Sequence, residues 1–317
     1  MRKPQLSTFY NEKMVLKEGE KNFSKSPQKP KWLLEFLEKN DLLKYLEIHQ
    51  NFEPFTKEDF YIAHTQNYVD CFFAGKKPLA ESNTLEWSPQ FAETVQYTNA
   101  SLYEAIKFAL QNPESICFSP VSGFHHAQPM YGMGYCTFSG QVIASVKIFR
   151  ETGMKGAYID LDGHFGNSIE DSRNFVEDLN EAIPKGFGNI NPAGVHDIYI
   201  NHFKKELNIL ETAILEGQIN YLVFCHGADS HEDDDTKGQC NTQEWVMCAE
   251  VFYNFVKKID ESLKKPIPLV LCLFGGYRSD DYNSVLGLHA KDLITCLNTL
   301  CGQEIHFEPV LKAKQYP

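Results

Sequence analysis

Tyr158-Ile159-Asp160-Leu161-Asp162-Gly163-His164 begins as an apolar run and ends on three polar groups at alternate positions. In an extended chain, residues i, i+2 and i+4 lie on one side, so Asp160, Asp162 and His164 converge where the run stops. Carboxylate oxygen together with imidazole nitrogen suits zinc or a similar first-row ion better than calcium or magnesium. The stretch reads as a buried strand handing over to a metal-binding loop, and a metalloenzyme is the first hypothesis.

Working outward, Gly156 to Leu161 is one of four segments with this character; the others are Ser115 to Ser119, Tyr221 to Cys225 and Pro268 to Phe274. Each is short, apolar and followed by Gly- or His-containing sequence, as where a parallel strand ends in a loop. Helical patterns fall between them at roughly 89 to 111, 136 to 151, 196 to 216 and 242 to 264. This alternation predicts an α/β fold with a mostly parallel sheet covered on both faces. The first ninety residues differ: Trp32 to Leu46 and Lys57 to Phe73 read as amphipathic helices packed on the sheet rather than as a separate domain. One domain over 1–317 is expected, with its site beyond the carboxyl ends of the strands.

Composition narrows the function. With 317 residues and 43% hydrophobic residues, the chain is long enough for a sizeable core. A net charge of −12 argues against a nucleic-acid binder, which needs clustered Lys and Arg, and weakly favours cationic substrates. The polar start, Met1-Arg2-Lys3-Pro4-Gln5, has no apolar export segment, and no later apolar run is long enough to span a bilayer. The nine cysteines form no CxxC pair or disulfide framework, so reduced thiols and a cytoplasmic location are expected.

The strand exits carry the chemistry. After the first comes Ser122-Gly123-Phe124-His125-His126-Ala127, whose adjacent histidines reach one pocket only through a turn; solvated or hydrogen-bonded histidines are the plain alternative. Gly132, Gly134 and Tyr135 follow, suited to lining a channel or simply to a turn. After the third strand comes Cys225-His226-Gly227-Ala228-Asp229-Ser230-His231, in which Asp229 stands where a third ligand would meet Asp162 and His164, with His226 and His231 as rivals. The acidic run Glu232 to Asp235 reads as a solvated loop, with attraction of a cationic substrate as a minor role. After the fourth strand comes Phe274-Gly275-Gly276-Tyr277-Arg278, where the glycines let a phenol approach the other strand ends and donate to a developing oxyanion; packing alone is the plain alternative.

Taken as a set in this order, Gly123-Phe124-His125-His126, Gly134-Tyr135-Cys136, Asp160-Leu161-Asp162-Gly163-His164, Gly227-Ala228-Asp229 and Gly275-Gly276-Tyr277 resemble the histone deacetylases and their bacterial relatives. Those relatives include acetylpolyamine amidohydrolases and acetoin-utilisation proteins, and this chain looks like a bacterial-type member. The resemblance runs from about Asn83 to Tyr277. It implies the arginase/deacetylase fold and one Zn²⁺ held by Asp162, His164 and Asp229. It also implies His126 as general base then acid, His125 paired with Asp160, and Tyr277 as oxyanion donor. The substrate would be an acylated amine, either acetyl-lysine or an acetylpolyamine, and hydroxamates would bind the metal.

This chain departs from the family in several places. Phe165 stands where a second histidine is common, making that pocket edge more apolar. Asn167 stands where some relatives have an aspartate beside the base and others an asparagine; a neutral Asn orients His126 while raising its basicity less than a carboxylate would. The stretch between Ile169 and Pro192 is short where relatives build part of a monovalent-cation site and one channel wall. A structural K⁺ near Asp160, with carbonyls near Asp162 and His164, and the channel shape are therefore both open. Asn83 aligns loosely with a rim aspartate that grips substrate backbone, and Thr236 falls near the pocket mouth. Two alternatives stand beside the deacylase: an arginase-like ureohydrolase, which needs a second carboxylate-rich metal site, and a silent acyl-amine-binding protein, which has no need of the whole set.

Overall fold

The computed structural model of the chain describes residues 2–16, 24–236, 238–312 and 314; Met1 of the polar start lies outside them. Among the described residues, seven strands form one sheet. They are β1 (Leu6–Phe9), β2 (Leu46–His49), β3 (Ile116–Ser119), β4 (Gly156–Asp160), β5 (Asn189–Ile190), β6 (Tyr221–Cys225) and β7 (Leu269–Cys272). Their spatial order is β2-β1-β3-β7-β6-β4-β5, and every pairing is parallel. The helices are α1 (Lys29–Lys39), α2 (Lys57–Phe60), α3 (Gln66–Phe73), α4 (Pro89–Gln111), α5 (Gly140–Thr152), α6 (Ser168–Ser172), α7 (Leu179–Ala182), α8 (His196–Leu215), α9 (Thr242–Leu263) and α10 (Tyr282–Cys301).

The strands are apolar throughout because both faces are covered. Successive side chains divide between two cores: Ile116, Phe118, Ala157, Ile159, Leu222, Phe224, Leu269 and Leu271 enter one. Cys117, Tyr158, Tyr221, Val223, Cys225, Val270 and Cys272 enter the other. Helices α1, α8, α9 and α10 cover the first core, while α3, α4 and α5 cover the second. The longer helices carry their own boundary signals. Pro89 opens α4 behind a Ser88 cap, and Asn241 and Glu244 exchange side-chain and backbone hydrogen bonds at the start of α9. Gly153, at φ 73°, ends α5.

The expected parallel α/β fold is present, and the four predicted strands are β3, β4, β6 and β7. The N-terminal segment differs from its helical reading, because it also adds β1 and β2 to the sheet. The predicted helix from Trp32 stops at Lys39, and Leu46 belongs to the strand Leu-Glu-Ile-His, whose half-buried edge position leaves a pattern too short to separate from a helical one. Lys57 to Phe73 is two helices, broken before Thr65, whose hydroxyl accepts from the Tyr68 N–H at 3.4 Å and starts α3. Strand β5 and helix α10 go beyond the sequence expectations. No described helix is long and apolar enough to cross a membrane.

Register fixes where the site forms. Ser119, Cys272, Cys225 and Asp160, the last residues of β3, β7, β6 and β4, are successive partners across the sheet. The four exits therefore leave from one level, and their loops share one space.

The start of the chain is tied in by Arg2, which is buried. It gives a bidentate pair to Asp260 at 2.8 and 3.0 Å and a hydrogen bond to the Ile267 carbonyl at 2.8 Å, joining β1 to the end of α9 and the entry of β7. Arg2→Ala is expected to lower unfolding stability by about 2–3 kcal/mol, measured by denaturant titration, because the remaining partners stay shielded from water.

Candidate active site

Asp162, His164 and Asp229 come together with one ligand-capable atom from each within 4.8 Å of the others. His164 Nδ1 lies 2.9 Å from Asp229 Oδ2 and 3.3 Å from Asp162 Oδ1. Both carboxylates are buried. Backbone donors aim at them: the Gly163 N–H donates to Asp229 Oδ1 at 2.9 Å, the His164 N–H to Asp162 Oδ1 at 2.9 Å, and the Gly275 N–H to Asp162 Oδ2 at 2.7 Å. Gly275 permits this approach, since a Cβ there would stand 2.3 Å from Asp229 Cγ and 2.5 Å from Asp162 Oδ2.

The rival histidines are turned away. His226 stacks on Trp245 with centroids 3.8 Å apart, and its Nδ1 lies 3.1 Å from Asp292 Oδ1. His231 is engaged on both nitrogens, by Thr242 Oγ1 at 2.8 Å and by the Asp233 N–H at 3.1 Å.

The adjacent histidines do share one pocket, with ring centroids 4.1 Å apart. His125 is buried, with Nδ1 2.9 Å from Asp160 Oδ2 and Nε2 3.5 Å from Asp162 Oδ1. His126 faces the His164 ring at 5.9 Å, and its Nδ1 lies 2.9 Å from Asn167 Oδ1. Asn167 Nδ2 donates to Asp171 Oδ2 at 2.6 Å. Because a carboxylate there accepts only, the Asn167 nitrogen faces Asp171 and its oxygen faces His126. That places the proton of neutral His126 on Nδ1 and leaves the Nε2 lone pair free.

Charge follows this geometry. Burial pulls His125 down, but Asp162 and then Asp160 outweigh it and hold the imidazole up at about 9. Burial, and then the neighbouring His125, lowers His126 to about 4. Hydrogen bonds to Asp162 and Asp229 raise His164 to about 10, while burial and then Asp162 push Asp229 up to about 7. Burial opposes ionisation of Asp162 as well, yet His125 and His164 hold it below the ordinary carboxylate range. Burial, followed by Asp162 and Asp229, raises Tyr277 well above the ordinary phenol value, so it remains a donor.

Tyr277 stands across the pocket, its ring 6.5 Å from His164 and 5.6 Å from Tyr135. Gly134, at φ 55°, lies so close that a Cβ would meet His126 Cδ2 at 2.6 Å, and Tyr135 follows at φ 63°. Phe165 is 62% exposed and borders a groove of about 370 Å³ that opens beside His164. Asn191, Pro192, Val195 and Ile198 line the rest, at the end of the stretch that is short in this sequence.

Two expectations, for Asn83 and for the acidic run, are corrected. Asn83 is 1% exposed and spends its amide on Thr137 Oγ1 at 2.7 Å and the Leu85 N–H at 3.1 Å, so it is not a rim group; its carbonyl instead accepts from the Tyr135 N–H. Thr236 caps Asp234 through its N–H and hydroxyl, at 3.0 and 2.9 Å. The acidic run is not merely solvated, because Asp234 is 7% exposed and bonded to the Tyr277 backbone. Each Asp160 oxygen takes one partner, Oδ2 the His125 Nδ1 and Oδ1 the Asp162 N–H.

Sequence reasoning also missed Lys29. This fully buried residue of α1 donates to the Phe274 carbonyl, and its ammonium lies 5.6 Å from the Tyr277 ring centre. Burial lowers it to about 8 against the pull of Asp229 and Asp162. One lysine of the run Lys25-Ser26-Pro27-Gln28-Lys29-Pro30-Lys31 carries no signal of such burial. Asp171 was equally unmarked, being one acid of a polar helix.

The donor set fits a metal ion. Two adjacent buried carboxylates and one imidazole suit a divalent first-row cation, and no Cβ intrudes from Gly275. Gly275→Ala is expected to weaken metal binding by about 10- to 100-fold while leaving the far-UV spectrum unchanged, as read by competition with a chromogenic chelator.

Comparison with known proteins agrees with these motifs. The model of the histone deacetylase domain matches residues 24–179, a span that includes His125, His126, Asp160, Asp162, His164 and Asn167 but neither Asp229 nor Tyr277. Over that span, just under half of the chain, the sequence matches the histone deacetylase family. Among solved structures, the crystal structure of the HDA15 HD domain has the same fold, with a TM-score of 0.68 at 15% identity over 95% of this chain and 90% of that one. The search of curated proteins returned no significant match.

Proposed function

We propose that this chain, as one catalytic domain, is a zinc-dependent amidohydrolase that removes an acetyl or other short acyl group from an acylated primary amine. The observation that carries the proposal is the meeting of Asp162, His164 and Asp229 with His126 on one side and Tyr277 on the other. Zn²⁺ held by those three residues would polarise the amide carbonyl and acidify a water molecule.

The chain's own residues supply the rest. His126 Nε2, free because Nδ1 is bonded to Asn167, takes the proton of the attacking water and returns it to the departing amine. His125 stays charged between Asp160 and Asp162, and its charge keeps His126 a weak base. The neutral Tyr277 phenol donates to the oxyanion that develops on the carbonyl oxygen. The products are a carboxylate and a free amine. The acidic chain suits cationic amines, which include both acetylpolyamines and acetyl-lysine in basic protein segments.

An arginase-like reaction lacks its donors. Among the described residues, Asp162, His164 and Asp229 are the one group of three suited to a metal, and Asp160 is engaged with His125. The test is acetate release from acetyl-lysine peptides and N-acetylated polyamines by zinc-loaded protein, with wild type beside Tyr277→Phe. The substitution is expected to lower kcat by about 10²- to 10³-fold with zinc content unchanged. A zinc-replete protein inert on every short acyl-amine would overturn the proposal.

The pH dependence follows from His126. Its lowered value keeps the base form present well below the ordinary imidazole value of about 6.5, so the acid limb of kcat/KM is expected below that pH. Asn167→Asp places a carboxylate on Nδ1 and is expected to move that limb up by about one unit, seen in kcat/KM measured from pH 4 to 9.

A further inference from the structure

The run Asp233-Asp234-Asp235 faces the segment that carries Tyr277, and each acid takes a different residue of it. Arg278 lies 3.6 Å from Asp233, and the Tyr277 N–H donates to Asp234 Oδ2 at 2.7 Å. The Ser279 N–H and hydroxyl both donate to Asp235 Oδ2, at 2.8 and 2.6 Å. From the other side, Lys314 donates to the Asp234 carbonyl at 3.2 Å and pairs with Asp235 at 2.6 Å.

Asp234 is the buried member, and both of its oxygens are committed: Oδ2 to Tyr277, Oδ1 to the N–H and hydroxyl of Thr236. The two residues before Tyr277 are glycines, so the turn that presents the phenol has no side-chain anchor of its own. Gly276, at φ 137°, holds a backbone conformation that side chains rarely adopt. A phenol that must meet a developing oxyanion tolerates little misplacement, since a shift of about 1 Å costs on the order of 10²-fold in rate.

We infer that Asp234 is a positioning residue for Tyr277: through the Tyr277 N–H it fixes the backbone from which the phenol reaches the pocket. The run from Asp229 to Thr236 thus joins a candidate metal ligand to the candidate oxyanion donor, with Lys314 bonded to the Asp234 carbonyl and to Asp235. The inference builds on the proposed role of Tyr277 and deepens it, adding a residue with no contact to the substrate.

Asp234→Asn is the direct probe. One amide oxygen cannot serve both Tyr277 and Thr236, so either orientation loses an acceptor. In zinc-loaded protein the variant is expected to lower kcat at least about ten-fold, with KM and zinc content within about two-fold of wild type. In a Tyr277→Phe background the same substitution is expected to cost less than about two-fold, because the group it positions is gone. An equal loss in both backgrounds, or a loss of zinc, overturns the inference.

Thr236→Val, at an exposed position, tests the same link should Asp234→Asn fail to fold. Removing the hydroxyl, with the residue-236 N–H still on Oδ1, is expected to lower kcat by about two- to three-fold, again only when Tyr277 is present; no loss, or the same loss in both backgrounds, counts against it. A readout independent of turnover separates this inference from the proposed activity. In protein labelled with ¹³C at the tyrosine ring, the Tyr277 resonance is identified by its disappearance in Tyr277→Phe. It is expected to shift in the Asp234 or Thr236 variant, while Tyr135→Phe serves to assign its nearest aromatic neighbour. An unmoved Tyr277 resonance rejects the inference whether or not the protein is a deacylase, whereas a shifted resonance in an inert protein rejects only the activity.

Discussion

The structure is organised around one unfavourable contact, the burial of Asp162 beside Asp229. Removing a carboxylate from water costs several kcal/mol, and placing a second next to it adds repulsion. The chain answers with His164 bridging the pair, His125 behind it and backbone N–H groups from Gly163, His164 and Gly275. A divalent cation between neutral His164 and the two acids, with His125 charged, would balance the three carboxylates at 160, 162 and 229. The register row at the ends of β3, β7, β6 and β4 matters because it brings four separate loops to that one charge problem.

Much of this was legible in the sequence because it depends on strands with two buried faces. Such strands read as short apolar runs, and the polar residues just beyond them stand out by contrast. Asp162, His164, Asp229, His125, His126 and Tyr277 were all found in this way. What lay hidden came from other physics. Leu6–Phe9 and Leu46–His49 are edge or near-edge strands only four residues long, so their pattern is ambiguous. Asn83 aligned loosely with a rim aspartate, yet its amide is consumed within the fold. Lys29 and Asp234 gain their importance from burial, which a single sequence does not display for a charged residue.

Several features flank the candidate ligands and catalytic groups. Asn167 orients His126 and is itself oriented by Asp171, so a neutral amide stands between the base and a carboxylate. Exposed Phe165 and the groove to Val195 and Ile198 leave one flank of His164 open and apolar. The acidic run, which composition alone would assign to solvent, is spent on the Tyr277 segment. Under the proposed activity, substrate choice and pH dependence are expected to be set by these flanks rather than by the candidate ligands.

Anomalous diffraction at the zinc absorption edge, from crystals grown with stoichiometric zinc, tests the central claim most directly. The account requires one strong peak bonded to His164 Nδ1 and to a carboxylate oxygen from each of Asp162 and Asp229. A protein that binds no zinc, or a peak held by other residues while this pair keeps its proton-mediated contacts, would contradict it.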